Sequence, residues 1–88
     1  MINEDLREHI KNNYEGAVLF DNPSFDNSII GVSTDNAIIY DLTSMVDELA
    51  EDDKMSSEEA LEFIDYNTLR TIPYITEGSK PIIMMELL

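Results

Sequence analysis

The chain has 88 residues, with 19 acidic side chains against five basic ones, and its formal net charge is −14 at neutral pH. Such a charge repels nucleic acid and anionic lipid, so we expect neither to be a direct ligand. Cysteine is absent, which excludes disulfide scaffolds, thiolate zinc sites and cysteine nucleophiles. A hydrophobic fraction of 43% is ordinary for a globular protein, and the length predicts a single domain over residues 1–88.

The N-terminal residues show no basic segment followed by an apolar one, so no signal peptide is predicted. The longest apolar run, residues 81–85, is far too short to span a membrane as a helix. These two features predict a soluble, cytoplasmic protein.

The first predicted element is a helix over residues 4–14, with Asn3 as its N-cap. Its apolar stripe has four-residue spacing and comprises Ile2, Leu6, Ile10 and Tyr14. Residues 17–20 form a short apolar run and are predicted as a strand. Residues 21–27 are rich in turn formers and predict a loop, in which Phe25 either closes the core or is exposed as an anchor. We favour the buried position.

A β-hairpin is predicted next, because β-branched residues dominate residues 28–33 and 37–41. The turn between them lacks the glycine of the strongest two-residue turn, so a loop of three or four residues fits equally well. After a turn at residues 77–79, residues 81–88 are predicted as the last strand, and Pro81 restricts that strand to an edge or to a start at this residue.

Two short acidic helices are predicted between these strands. Thr43 or Ser44 can cap the first helix, whose inner face comprises Met45, Val46, Leu49 and Ala50. Ser56 and Glu59 have the spacing of a capping box that begins the second helix. Its inner stripe comprises Ala60, Leu61, Ile64 and Thr68, widened by Phe63, and it ends at the step before Pro73. The element order predicts an α+β fold, with a small, mainly antiparallel sheet of three to four strands packed by about three helices.

Residues 41–65 hold ten carboxylates and a single cation, Lys54. On a helix, side chains three and four residues apart stack along one side, about 5–6 Å between Cβ atoms, a spacing comparable to that of phosphates along a DNA strand. We name the predicted partner-binding set the acidic surface: Asp47, Glu48, Glu51, Asp52, Glu58, Glu59 and Glu62. The alternative interpretation is a solvated face that only maintains solubility.

No catalytic site is predicted. His9 is the sole histidine and lies at a polar helix position, where no Ser/His/Asp set can form around it. Asp41 and Asp65 are the acids with apolar neighbours, and we expect structural roles for both: Asp41 ending a strand or capping a helix, Asp65 completing a charged face. Residues 21–27 fail the calcium-loop pattern and no phosphate-binding glycine loop exists. The sequence therefore predicts a non-enzymatic protein without metal or cofactor.

Three sequence blocks carry a resemblance: residues 20–31 (FDNPSFDNSIIG), 63–74 (FIDYNTLRTIPY) and 81–84 (PIIM). In this order they resemble a family of short uncharacterised acidic proteins of Firmicutes and their phages and mobile elements. The resemblance implies a phage-type protein that acts on a host factor, such as an anti-CRISPR protein or a DNA mimic. Within the second block, Asp65, Tyr66, Asn67 and Arg70 can form a polar knot at the helix end, with Arg70 bonding the carbonyls there or pairing Asp65 or Glu77. The alternative is that they serve as a binding epitope.

Two functions of different class follow. The first is an inhibitor whose acidic surface occupies the basic nucleic-acid-binding surface of a host protein. The second is a structural or adaptor protein, which can be a homodimer. Its contacts are made by the apolar C-terminal strand, and its surface charge is incidental.

Overall fold

The computed structural model describes residues 3–21 and 23–86. Its helices and strands, in chain order, are α1 (Asn3–Asn13), β1 (Ile29–Val32), β2 (Ile38–Asp41), α2 (Leu42–Asp53), α3 (Ser57–Asn67) and β3 (Ile82–Met84). Two 3₁₀ segments lie at Asp26–Ser28 and Leu69–Tyr74. The described residues thus confirm the α+β class. None of their helices has the length and apolar character that a membrane crossing requires.

The predictions at the chain ends are only partly covered by these residues. Within the described residues helix α1 runs over Asn3–Asn13, so Asn3 lies inside the helix and not at the predicted N-cap position. The part of the apolar stripe assigned to Ile2 lies outside the described residues, as do residues 87 and 88 of the predicted last strand. Strand β3 is shorter than predicted and ends at Met84.

The predicted hairpin is confirmed. Strands β1 and β2 are antiparallel, with Ile29 opposite Tyr40 and a bulge between Ile29 and Gly31. The Ser33 N–H donates to the Ala37 carbonyl at 2.8 Å, which closes a three-residue loop. Asn36 has a φ of 67°, the left-handed conformation that commonly completes such loops.

The sheet is mixed, with the order β1-β2-β3. Strand β3 lies parallel to β2, and Ile39 is opposite Ile82, whereas the sequence predicts a mainly antiparallel sheet. Parallel neighbours need a long crossover connection, and helices α2 and α3 provide it. As a result, both acidic helices lie in the connection between two adjacent strands.

The predicted strand at residues 17–20 is wrong. Ala17 forms an isolated bridge with Ser79, and the rest of this segment is irregular. The reason is that side chains bind the backbone of Phe20: its N–H donates to the Tyr40 hydroxyl at 3.2 Å, and its carbonyl accepts from the Arg7 guanidinium. These bonds replace the ladder that a strand would need.

One apolar cluster holds the elements together, formed by Ile10, Phe25, Ile38, Tyr40, Met45, Leu49, Ala60 and Ile64. Phe25 is only 2% exposed, which confirms that it closes the core. The prediction for α3 is correct for Ala60 and Ile64 but wrong for Leu61, which is 45% exposed. Leu61 directly follows Ala60 in α3, so it points about 100° away from the buried side.

Helices α3 and α2 are capped at their N-termini by different residues, Ser56 and Asp41. The capping box is confirmed, since Ser56 Oγ accepts from the Glu59 N–H at 3.1 Å and the Glu59 carboxylate accepts from the Ser56 N–H. Helix α2, however, is capped by Asp41, which accepts from the Ser44 N–H at 3.0 Å, and not by Thr43 or Ser44. Asp41 thus both ends β2 and caps α2, so strand and helix join without a loop.

Arg7 fastens α1 to the rest of the fold. Its Nε donates to Asp26 Oδ2 at 2.7 Å, and its Nη1 donates to Asp21 at 3.2 Å. Asp26 is almost fully buried, and within the described part of the chain its Oδ1 has no hydrogen-bond partner. The hydrogen bond to Asp26 is the main reason that the pKa of Arg7 is raised above its ordinary value.

Candidate interaction surface

The acidic surface is divided between two helices that pack against each other. Helix α2 carries four of its members and α3 carries three, as predicted: Asp47, Glu48, Glu51 and Asp52, then Glu58, Glu59 and Glu62. The buried residues Met45 and Leu49 on α2, with Ala60 and Ile64 on α3, face the core. Helical periodicity then leaves most of the carboxylates at the surface.

Five members of the acidic surface are exposed carboxylates without a cationic partner in the described residues: Asp47, Glu51, Asp52, Glu58 and Glu62. The ion pairs of residues 3–21 and 23–86 use only Arg7 and Arg70, and neither pairs with this surface. Lys54 lies at the end of α2 and is exposed. The negative charge of these five side chains therefore has no neutralising contact within the described fold.

The other two members also have structural contacts. Glu48 is half-buried and accepts hydrogen bonds from the Asn27 N–H at 3.3 Å and the Ser28 hydroxyl at 3.4 Å. Burial is the main reason that the pKa of Glu48 is raised above its ordinary value. Glu59 is exposed but binds the Ser56 N–H in the capping box. Glu48 thus joins α2 to the 3₁₀ turn, and it is the least available member for a partner.

The polar knot at the end of α3 forms in part. Arg70 pairs with Asp65 at 3.3 Å, and its guanidinium carbon lies 4.0 Å from the centre of the Tyr66 ring. Asn67 instead donates to the carbonyl of Phe63. The prediction that Arg70 pairs with Asp65 is therefore confirmed, and Asp65 has a structural contact.

Two open clefts flank α3, and the sequence reasoning missed both. The first has a volume of about 390 Å³ and is lined by Met55, Glu59, Glu62, Phe63, Tyr66 and Asn67. The second, of about 440 Å³, is lined by Asp21, Pro23, Ser24, Leu49, Asp52, Asp53 and Phe63. Phe63 lines both clefts, so carboxylates of α2 and α3 border neighbouring depressions. The sequence does contain a sign of the first cleft, because positions 59, 62, 63, 66 and 67 have the three- and four-residue spacing that places side chains on one side of a helix.

The sole histidine and the acidic residues are the groups whose chemistry the sequence singled out. His9 is exposed, and the Asn13 amide contacts its Nδ1 at 3.2 Å. No group of three or more potential ligands among residues 3–21 and 23–86 is arranged to hold a metal ion. The arrangement can present negative charge and two partly apolar clefts to another molecule.

The C-terminal strand is the second exposed feature. β3 lies at the edge of the sheet. Ile82 and Met84 within β3, and Met85 directly after it, are large apolar side chains in contact with solvent. An edge of this kind can pair with another strand.

Comparisons of the chain with protein-family models, curated proteins and solved structures give no match.

Proposed function

We propose that this protein is a non-enzymatic, acidic protein-binding module that inhibits a host protein by occupying its basic nucleic-acid-binding surface. It acts as a phage-type inhibitor, of the anti-CRISPR or DNA-mimic kind. The observation that carries the proposal is a set of five exposed carboxylates that have no cationic partner in the part of the chain that the structure describes. They are fixed on two capped helices that pack against each other.

The arrangement of these carboxylates is unfavourable for the fold alone. Asp47 and Glu51 are four residues apart on α2, as are Glu58 and Glu62 on α3, and like charges at this spacing destabilise a helix by a few tenths of a kcal/mol per pair. Rigid helices hold the charges at fixed separations, which a disordered acidic tail cannot do. A fixed negative field accelerates association with basic partners and disfavours others.

A second candidate function rests on β3. Its exposed apolar side chains and its edge position suit a structural or adaptor protein that forms a homodimer by strand pairing. In that case the surface charge is incidental, and self-association persists at high salt.

The test is a pull-down from the native host at low and high salt, followed by competition of the captured protein with its nucleic acid. We expect a basic nucleic-acid-binding protein that is captured at low salt only and that binds the chain or the nucleic acid, not both. The variant Asp47→Lys, Glu51→Lys, Glu62→Lys should not capture it, because it removes the field at the acidic surface.

A matched control carries the same charge change elsewhere: Glu8→Lys, Glu15→Lys, Glu77→Lys, three exposed positions outside the acidic surface. Each triple variant has a net charge of about −8, that is −14 plus 6, so any difference between them reports on position. Equal capture by both variants, or a complex that contains chain and nucleic acid together, contradicts the proposal. Self-association at high salt that Met85→Glu abolishes supports the second candidate.

A further inference from the structure

We propose that the cleft beside Tyr66 receives an arginine side chain of the partner, so that this part of the acidic surface recognises arginine rather than positive charge in general. We name this the Tyr66 cleft; it is lined by Met55, Glu59, Glu62, Phe63, Tyr66 and Asn67. The inference rests on the proposed function and deepens it by naming the chemistry that the partner brings to the surface.

The Tyr66 cleft follows from the geometry of one helix. Five of its lining residues lie three or four positions apart along α3, which places their side chains next to one another on the same side of the helix. Met55, in the turn between α2 and α3, adds an apolar wall. The two carboxylates come from Glu59 and Glu62, and both side chains are exposed.

These groups match the parts of an arginine side chain. An arginine places its apolar stem along apolar surface and keeps its charged head in contact with polar groups, and here Met55 and Phe63 supply the apolar wall. Its planar guanidinium can pair with a carboxylate through two parallel hydrogen bonds, whereas a lysine ammonium cannot. Glu62 has no hydrogen-bond partner within the described residues, so it is free to accept such a pair.

Tyr66 supplies the third element of recognition. Tyr66 is 61% exposed, so it contributes little to the core, and it lies beside the two carboxylates at the surface. Arg70 of this chain already lies over the ring at 4.0 Å, which shows that the ring stacks with a guanidinium, and a partner arginine therefore stacks on the part of the ring that Arg70 leaves open. Arg70 itself pairs with Asp65 and does not line the cleft.

Charge and composition identify the occupant as a segment of a basic protein and not a second copy of this chain. Among residues 3–21 and 23–86 no cation lines the Tyr66 cleft, and the neighbouring cleft across Phe63 adds the carboxylates of Asp52 and Asp53. The chain contains only two arginines. Both of them, Arg7 and Arg70, are engaged in ion pairs within the fold, so a second copy has no free arginine to offer.

Two capped five-residue peptides, Gly-Arg-Gly-Arg-Gly and Gly-Lys-Gly-Lys-Gly, provide the test. Each is titrated at low salt into the isotopically labelled full-length chain, with backbone amide shifts as the measurement. We expect the arginine peptide to bind on the order of fivefold more tightly than the lysine peptide, because it adds ring stacking and paired hydrogen bonds. The amide shifts should concentrate at Met55 and at residues 59–67.

The variant Tyr66→Leu should lower the affinity ratio of the two peptides, because the arginine peptide loses the ring stacking and keeps only its paired hydrogen bonds to Glu62. Because Tyr66 is exposed, we expect this variant to fold. Glu62→Gln is the second variant, and it should weaken binding of the arginine peptide more than binding of the lysine peptide. Glu77→Gln, which removes an exposed charge outside both the cleft and the acidic surface, should preserve the ratio.

Equal affinities of the two peptides, or a ratio that Tyr66→Leu does not change, overturn the arginine cleft. If both peptides then still bind the acidic helices in a salt-dependent way, the proposed function stands without the cleft. If neither peptide binds at low salt, the cleft and the proposed function both fail.

Discussion

At the scale of single residues, Glu48 shows that membership in an acidic cluster does not determine what a carboxylate does. It lies on the same helix as Asp47 and Glu51, but it is half-buried and binds Asn27 and Ser28 of the neighbouring 3₁₀ turn. Burial raises its pKa above the ordinary value of 4.5. The native state therefore holds the Glu48 proton to a higher pH than the unfolded chain does.

This difference has a definite sign. Where the native state binds more protons than the unfolded state, stability falls as pH rises. The contribution of Glu48 is therefore most favourable below about pH 4.5, and it declines as pH rises through the raised pKa of the folded state. Above that range the charged and partly desolvated carboxylate disfavours the fold.

We expect Glu48→Gln to gain stability relative to the natural chain as pH rises from about 4 to 7. The amide keeps an oxygen for the Asn27 N–H and carries no charge, and the gain should be a few tenths of a kcal/mol because solvent screens the half-buried group. Urea unfolding at both pH values measures it. Glu51→Gln, exposed on the same helix, removes the same charge and serves as the control; an identical pH response of the two variants would contradict the role of burial.

At the scale of elements, the crossing of residues 16 and 78 joins the start and the end of the fold. The Ser79 N–H donates to the Gly16 carbonyl at 2.8 Å, and the Ser79 hydroxyl donates to the carbonyl of Asp35. Gly78 has a φ of +75°, and a Cβ at this position would lie 2.2 Å from the Gly16 oxygen. The two backbones can approach this closely only because residue 78 has no side chain.

We expect Gly78→Ala to destabilise the protein by about 3 kcal/mol, since it adds left-handed strain to a backbone clash. The matched control is Gly31→Ala in β1, where an added Cβ meets no atom within 4 Å; its effect should stay within about 0.5 kcal/mol. Urea unfolding of both variants measures the difference. Similar losses in the two variants would show that the crossing tolerates a side chain.

The elements also show which parts of the fold a sequence can predict. The capping box at Ser56 and the hairpin were predictable because their signals lie within a few residues of one another. The irregular segment before Phe20 was not, because the hydroxyl of Tyr40 and the guanidinium of Arg7, which bind its backbone, come from distant positions. The parallel pairing of β3 likewise depends on how the whole crossover packs.

The candidate site also has one part that the sequence predicts and one part that it does not. The position of the carboxylates on two helices follows from composition and periodicity, and the structure places them there. The Tyr66 cleft does not follow so directly, because the same apolar pattern assigned Leu61 to the core. Packing of Ala60 and Ile64 fixes the rotation of α3, and this rotation decides that Tyr66 and Glu62 border one depression.

At the scale of the whole molecule, the charge of −14 acts on a fold of only 88 residues. Within the described ranges, two arginines form ion pairs with three carboxylates, those of Asp21, Asp26 and Asp65, and the remaining carboxylates repel one another. Self-repulsion of this kind destabilises the compact state, and dissolved salt screens it over about 10 Å at 0.1 M. The fold should therefore be weakest at low ionic strength.

We expect the thermal midpoint to rise by several degrees between low and moderate potassium chloride, since 1 kcal/mol shifts the midpoint of a domain of this size by about 4–8 °C. Circular dichroism measures it, and a flat or falling midpoint contradicts the repulsion. The variant Asp47→Lys, Glu51→Lys, Glu62→Lys should show a smaller rise and, at low salt, a higher midpoint than the natural chain. If this charge-reversed variant is more stable than the natural chain and no longer captures the partner, the acidic surface serves binding and lowers the stability of the fold.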